Sequence, residues 1–130
     1  DFDAGIIDVE DVEWSTSHLC PMVDARRMEV YAQVFDASGV AQSEVVAEVV
    51  TEESFVEWRQ RGKFVIFGNG AAKCAEVLKD AVYVNVSPSA RGIVRLAEES
   101  FRAGRFEDLA YFEPFYLKDF LVIPSKKKLL

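Results

Sequence analysis

Apolar and polar positions change rhythm once along the chain, near residue 51. Before that point the pattern is that of strands. Leu19 to Asp24 is a short apolar run. Met28, Val30, Ala32 and Val34 then alternate with Glu29, Tyr31, Gln33 and Phe35, the two-residue period of a strand with one apolar and one mixed face. Val45 to Val50 is rich in β-branched residues and predicts a third strand. Asp24-Ala25-Arg26-Arg27 and Asp36-Ala37-Ser38-Gly39 are polar breaks between them. Connections this short predict antiparallel pairing, hence a three-strand meander.

After residue 51 strands and helices alternate. Thr51 with Glu52 and Glu53 predicts a helix start, running through Phe55, Val56 and Trp58 to Arg61, with Gly62 placed to end it. Lys63 to Phe67 is continuously apolar, as in a strand buried on both faces. Gly68-Asn69-Gly70 predicts a turn into a helix over Ala71 to Lys79, followed by a strand over Ala81 to Val86. Ser87 then predicts a cap, with Pro88 at the first helical position. Ala90, Ile93, Val94, Ala97 and Phe101 recur at helical spacing and predict a buried stripe that stops at Gly104. Arg105 to Leu130 is aromatic-rich, broken by Pro114 and Pro124, and is expected to pack along the domain as irregular structure or a short helix.

Three antiparallel strands, then helix, strand, helix, strand, helix, define an α/β domain with a mixed five-stranded sheet, since helical crossovers join parallel strands. This is the order of an RNase H-like domain, the building block of actin-like ATPases. Residues 1–18 read as a linker or edge segment, with Ile6, Ile7 and Trp14 docking on a surface, and residues 19–130 as the domain.

Composition narrows the function. The chain has 130 residues, 50 % of them hydrophobic, which suits one domain with a real core. A net charge of -7 argues against unaided tracking of a phosphate backbone. Lys126-Lys127-Lys128 reads as a solvated tail. Cys20 and Cys74 show no zinc or disulfide spacing and read as buried thiols of a reducing cytosol. No apolar run reaches the ~20 residues of a membrane span, and no signal peptide is visible, so a soluble cytoplasmic protein without a membrane partner is expected. The opening Asp1-Phe2-Asp3 reads as a fragment, a processed product or a shortened chain.

Candidate chemistry is sparse. His18 is the single histidine, so paired metal ligands are missing, and it reads as structural or surface. Cys74, close to a predicted helix start, has the setting of a lowered thiol pKa, but space-filling between helix and sheet is the simpler role. Gly68, Asn69 and Gly70 follow a buried strand and open a helix, so their amides are candidate phosphate or nucleotide contacts. The turn lacks a Gly-Lys-Ser/Thr ending, and Lys73 interrupts a GxGxxG, so a tight packing turn competes with that reading. Ser87 lacks the surroundings of a nucleophile elbow. Asp24 with Arg26 and Arg27 predicts a carboxylate–guanidinium pair fixing the turn, or a recognition surface. Tyr111 to Phe120 is a candidate contact patch, with core packing as the alternative.

Several of these segments together resemble one family. Cys20-Pro21-Met22-Val23-Asp24-Ala25-Arg26-Arg27-Met28-Glu29-Val30-Tyr31 is similar to the "DAR…EVY" signature of the bacterial TsaB (YeaZ) proteins. Phe67-Gly68-Asn69-Gly70-Ala71, the Pro88 to Gly104 helix and Tyr111-Phe112-Glu113-Pro114-Phe115-Tyr116-Leu117-Lys118 continue the likeness in order, over most of Leu19 to Leu130. The resemblance implies the C-terminal half of a two-domain protein whose N-terminal domain is absent here. It implies a non-catalytic, glycoprotease-like subunit that supports N6-threonylcarbamoyladenosine formation in tRNA beside a TsaD-like catalytic subunit and a TsaE-like ATPase. A homodimer is left open, and tRNA is reached only through the complex. Asp24, Arg26, Arg27, Glu113, Pro114 and Tyr116 are then partner-facing or structural motif residues. No catalytic residue, metal or cofactor is assigned to this stretch, with ATP or ADP reserved for the intact complex. The alternatives are one half of an actin-like nucleotide site, with Asp24 near a metal, and a glycoprotease-type peptidase, for which no catalytic set is visible.

Overall fold

The computed structural model of the chain describes residues 14–117. A 3-10 turn at Trp14–Thr16 leads into β1 (His18–Asp24), β2 (Glu29–Ala32), β3 (Phe35–Asp36) and β4 (Val46–Val49). There follow α1 (Val56–Arg59), β5 (Phe64–Phe67), α2 (Ala71–Ala75) and β6 (Val82–Val84). A second 3-10 turn at Ala90–Ile93 runs directly into α3 (Val94–Arg102). The strands form one mixed sheet in the order β4-β2-β1-β5-β6, with β3 also paired to β1. β2 lies antiparallel between β1 and β4, whereas β1, β5 and β6 run parallel. The expected meander is present, and β1 joins its antiparallel half to the parallel half.

The sheet has six strands where five were expected, because the strand expected over Met28 to Phe35 is split at Gln33 and Val34. The Ser43 hydroxyl accepts the Val34 N–H at 2.9 Å, and the Gln42 N–H donates to the Val34 carbonyl at 2.7 Å. The neighbouring loop thus takes the main-chain groups of Val34. β2 pairs with Met22, Val23 and Asp24 of β1, and β3 with His18 and Leu19.

Both faces of the sheet's centre are apolar. Cys20, Met22, Val30, Ala32, Phe64 and Ile66 face α1 and α2, meeting Ala71, Cys74, Leu78, Phe55 and Trp58. On the other side Leu19, Val65 and Val84 gather with Trp14, Phe35, Phe67, Val82 and Val86. Trp14 docks as expected, while Ile6 and Ile7 lie outside the described residues.

The helices are shorter than their patterns predict. Thr51 caps a turn and not a helix: its hydroxyl accepts the Glu53 N–H, and its own N–H donates to the Ser54 hydroxyl. Ser54 in turn donates to Glu48 across to β4. Phe55 then adopts a left-handed backbone, φ 60°, with its ring stacked on Phe64 at 5.5 Å, and α1 starts only at Val56. α2 stops at Ala75 and continues as turns that bury Leu78. Ser89, not Ser87, caps the third helical segment, accepting the Arg91 N–H, so Pro88 lies outside the helix.

The largest departure is α3. Its expected buried stripe is in solvent: Ile93, Val94 and Phe101 are exposed, as are Ala90 and Ala97, and no residue of α3 is buried. Local terms hold this helix. Gly104, at φ +69°, donates to the Phe101 carbonyl while the Arg105 N–H reaches the Ser100 carbonyl, the paired bonds of a Schellman ending. Arg95–Glu99 and Arg102–Glu98 add ion pairs one turn apart. Helical spacing identifies an amphipathic helix without identifying what covers it. Residues 105–117 likewise do not pack into the core; none of them is buried.

Two substitutions separate core from surface. Phe64→Ala, at a ring 1 % exposed, is expected to lower the unfolding free energy by about 3–5 kcal/mol. Val40→Ala, in an exposed turn, is expected to change it by less than about 0.5 kcal/mol. Urea unfolding of both variants against the parent checks the contrast.

Candidate functional site

β1 and β5 run parallel side by side, so the connections leaving their carboxyl ends meet. In open α/β sheets this end is where ligands bind. Here the Gly68-Asn69-Gly70 turn folds back over β1. Gly68 has φ +100°, and a Cβ there would lie 2.4 Å from the Met22 carbonyl oxygen. The Gly70 N–H donates to that same carbonyl at 3.0 Å. A Cβ at Gly70 would lie 2.9 Å from the Asp24 amide nitrogen. Asn69 completes the contact, its side-chain oxygen accepting the Asp24 N–H at 2.9 Å. The two glycines are needed because main chain approaches main chain with no room for a side chain.

Asp24 sits at the centre. One carboxylate oxygen accepts the Arg26 N–H at 2.9 Å and the Lys73 ammonium at 2.5 Å. Lys73, from α2, also donates to the Glu29 carbonyl at 2.8 Å and so ties the helix to both arms of the β1–β2 hairpin. The Lys73 side chain first, then the Arg26 amide, hold the Asp24 carboxyl below its ordinary pKa. The expected Asp24–guanidinium pair is replaced by these partners. Arg26 and Arg27 both adopt left-handed backbone, φ 77° and 50°, and both are exposed. Non-glycine residues held this way cost on the order of 1–3 kcal/mol each, so the surrounding bonds must enforce the turn. Ala25 N–H to Glu29 carbonyl and Glu29 N–H to Arg26 carbonyl, each 3.0 Å, do so.

Asp24, Asn69, Gly68, Gly70 and Lys73 are therefore one cluster. Lys73 carried a signal that sequence reading missed. It lies one turn into a helix that starts at the end of β5, and β5 neighbours β1. Two amides that would line a phosphate cradle, those of Gly70 and Ala71, are bound to the Met22 and Gly68 carbonyls. Glu113, Pro114 and Tyr116 belong instead to the exposed stretch after α3.

Both cysteines are buried and unpaired with one another. Burial, and then the neighbouring Cys74, push the Cys20 thiol up to about 12. Burial also raises the Cys74 thiol, against the pull of Lys73. Its Sγ donates to the Gly70 carbonyl at 3.3 Å. Neither has the lowered pKa of a nucleophile. His18 opens β1 with its ring 5.2 Å from that of Trp58. Among the described residues no group of three or more His, Cys, Asp or Glu is arranged to hold a metal. A separate groove of about 470 Å³ lies between β4 and α1, where Glu48, Glu53 and Glu57 stand beside Phe55 and Trp58.

No protein-family model matches the chain, and no curated protein matches it.

Gly68→Ala is expected to destabilise the fold by at least about 2 kcal/mol, combining a left-handed backbone with a carbonyl that cannot move aside. Gly92→Ala, with open space around the new Cβ, is expected to be neutral or stabilising by up to about 1 kcal/mol. Thermal melts of the two variants check this.

Proposed function

We propose that the chain is an RNase H-like domain serving as the second half of a TsaB-like subunit, a non-catalytic scaffold for threonylcarbamoyladenosine formation in tRNA. The observation that carries this reading is the meeting of two separate motif segments. The Asp24-Ala25-Arg26-Arg27 hairpin and the Gly68-Asn69-Gly70 turn lie 45 residues apart and are joined by the Asp24 N–H to Asn69 bond. The strand order, antiparallel on one side of β1 and parallel on the other, supports the RNase H-like assignment. Catalysis is assigned to a TsaD-like subunit and ATP turnover to a TsaE-like ATPase in the cytoplasm. Two observations support a supporting role for this chain. Its cluster residues are bound to one another, and burial raises both thiols above their ordinary pKa. Arg26 and Arg27, exposed on a braced hairpin, are the partner-facing residues of this reading.

Depleting the protein in its own cells and quantifying tRNA nucleosides by mass spectrometry tests the proposal. Threonylcarbamoyladenosine is expected to fall severalfold and to return when the intact gene is restored. Unchanged modification after complete depletion would reject it.

A further inference from the structure

β4 is the outer strand of the sheet on the β2 side, and its far edge has no strand partner among the described residues. The Val50 N–H donates to the Met28 carbonyl at 2.8 Å, one position beyond the Glu29–Val49 pair of the β2–β4 register. In an antiparallel ladder such bonding recurs at every second residue. Val46, Glu48 and Val50 therefore turn their main-chain groups to β2, while Ala47 and Val49 turn theirs outward. The side chains alternate as well. Val46 and Glu48 lie on the α1 side, where they line the groove of about 470 Å³ together with Glu53, Phe55, Glu57 and Trp58. Val49, 62 % exposed, lies on the opposite face. Sheet edges are commonly blocked by lysine or proline, and β4 carries neither. An open strand edge thus borders an open groove with an aromatic wall.

Charge selects the occupant. Residues 43–58 hold five glutamates, Glu44, Glu48, Glu52, Glu53 and Glu57, and no lysine or arginine. No cation lines the groove. Of the two arginines that follow, Arg59 is paired with Asp80 at 2.6 Å, and Arg61 lies over the Trp58 ring at 4.7 Å. Glu48 accepts the Ser54 hydroxyl, a neutral partner that leaves its charge uncancelled. A second copy of β4 would bring the same glutamates to this edge, and like charges opposed across a strand pair are destabilising. A strand with cations on one face and β-branched residues on the other satisfies both the open main chain and the carboxylates beside it.

We propose that the outer edge of β4 and the β4–α1 groove form a docking site for an extended basic segment of a partner protein, which adds to the sheet as a further strand. Its lysines or arginines lie on the α1 side, beside Glu48, Glu53 and Glu57. The residues between them stand opposite Ala47 and Val49 and exchange main-chain hydrogen bonds with these two. The proposal does not depend on the tRNA-modification reading.

A capped peptide alternating lysine and valine, labelled and titrated with the full chain, tests it by fluorescence anisotropy. Saturable binding is expected, with the Ala47 and Val49 amides becoming protected from hydrogen exchange in the complex. N-methylation of the peptide's valines, which removes the N–H groups facing β4, should raise the dissociation constant at least about tenfold. Glu53→Gln with Glu57→Gln should raise it at least about fivefold with an unchanged melting temperature. Glu107→Gln, the same charge change in the exposed stretch after α3, should leave it unaltered. Absence of binding at millimolar peptide would overturn the proposal. Equal binding of the N-methylated peptide would do so too, as would equal loss in Glu107→Gln, since either reduces the effect to the overall negative charge. Binding that appears only when Lys126, Lys127 and Lys128 are all replaced by Gln would assign the groove to this chain's own tail and overturn the partner reading.

Discussion

Everything at the carboxyl end of the sheet depends on one close approach, that of the Gly68-Asn69-Gly70 main chain over the last residues of β1. The Met22 carbonyl has no room above it for any side chain at position 68 and is itself taken up by the Gly70 amide. That contact sets where α2 begins. The start of α2 sets where Lys73 points, and Lys73 holds Asp24 and the far arm of the hairpin. Two consecutive arginines can then occupy a strained turn, because the turn is bonded from the strand, the loop and the helix together. A short-range steric condition between main chains thus becomes a rigid, outward-facing pair of cations.

The far end of the chain follows a different logic. α3 depends on the Ser89-capped 3-10 turn that leads into it, its glycine ending and its intrahelical ion pairs, and it contributes no residue to the core. An amphipathic helix gains most of its stability in proteins by burying its apolar side. Here that side and the aromatic stretch beyond it remain in water. The two ends differ: the hairpin end is bonded to itself through Asp24, Asn69 and Lys73, while the α3 end leaves its apolar side chains exposed.

Much of the architecture was legible in the residues. Alternation from Met28 to Val34, the β-branched run at Val45 to Val50 and the continuous apolar run before Gly68 each report a burial pattern that a strand must satisfy. What was not legible depends on contacts distant in sequence. The split of one strand into β2 and β3 is caused by the Ser43 hydroxyl, which no two-residue period encodes. The late start of α1 follows from Ser54 bridging to Glu48 and from Phe55 stacking on Phe64. At the site, the glycine turn and Asp24 were each visible, but their contact was not. Lys73 looked like an interruption of a glycine motif, and its role appears only once β5 is placed beside β1. For α3 the period revealed which side is apolar and could not reveal whether anything lies against it.

Backbone hydrogen exchange, followed residue by residue, tests the close approach most directly. The Gly70 amide is predicted to exchange as slowly as the amides of Val65 and Ile66 in β5. The Asp24 amide is predicted to be protected in the parent and to lose that protection in Asn69→Ala while Ile66 is unaffected. Exchange of Gly70 and Asp24 as fast as Arg27 at the open hairpin tip would contradict the claim that this turn clasps β1 and organises the site.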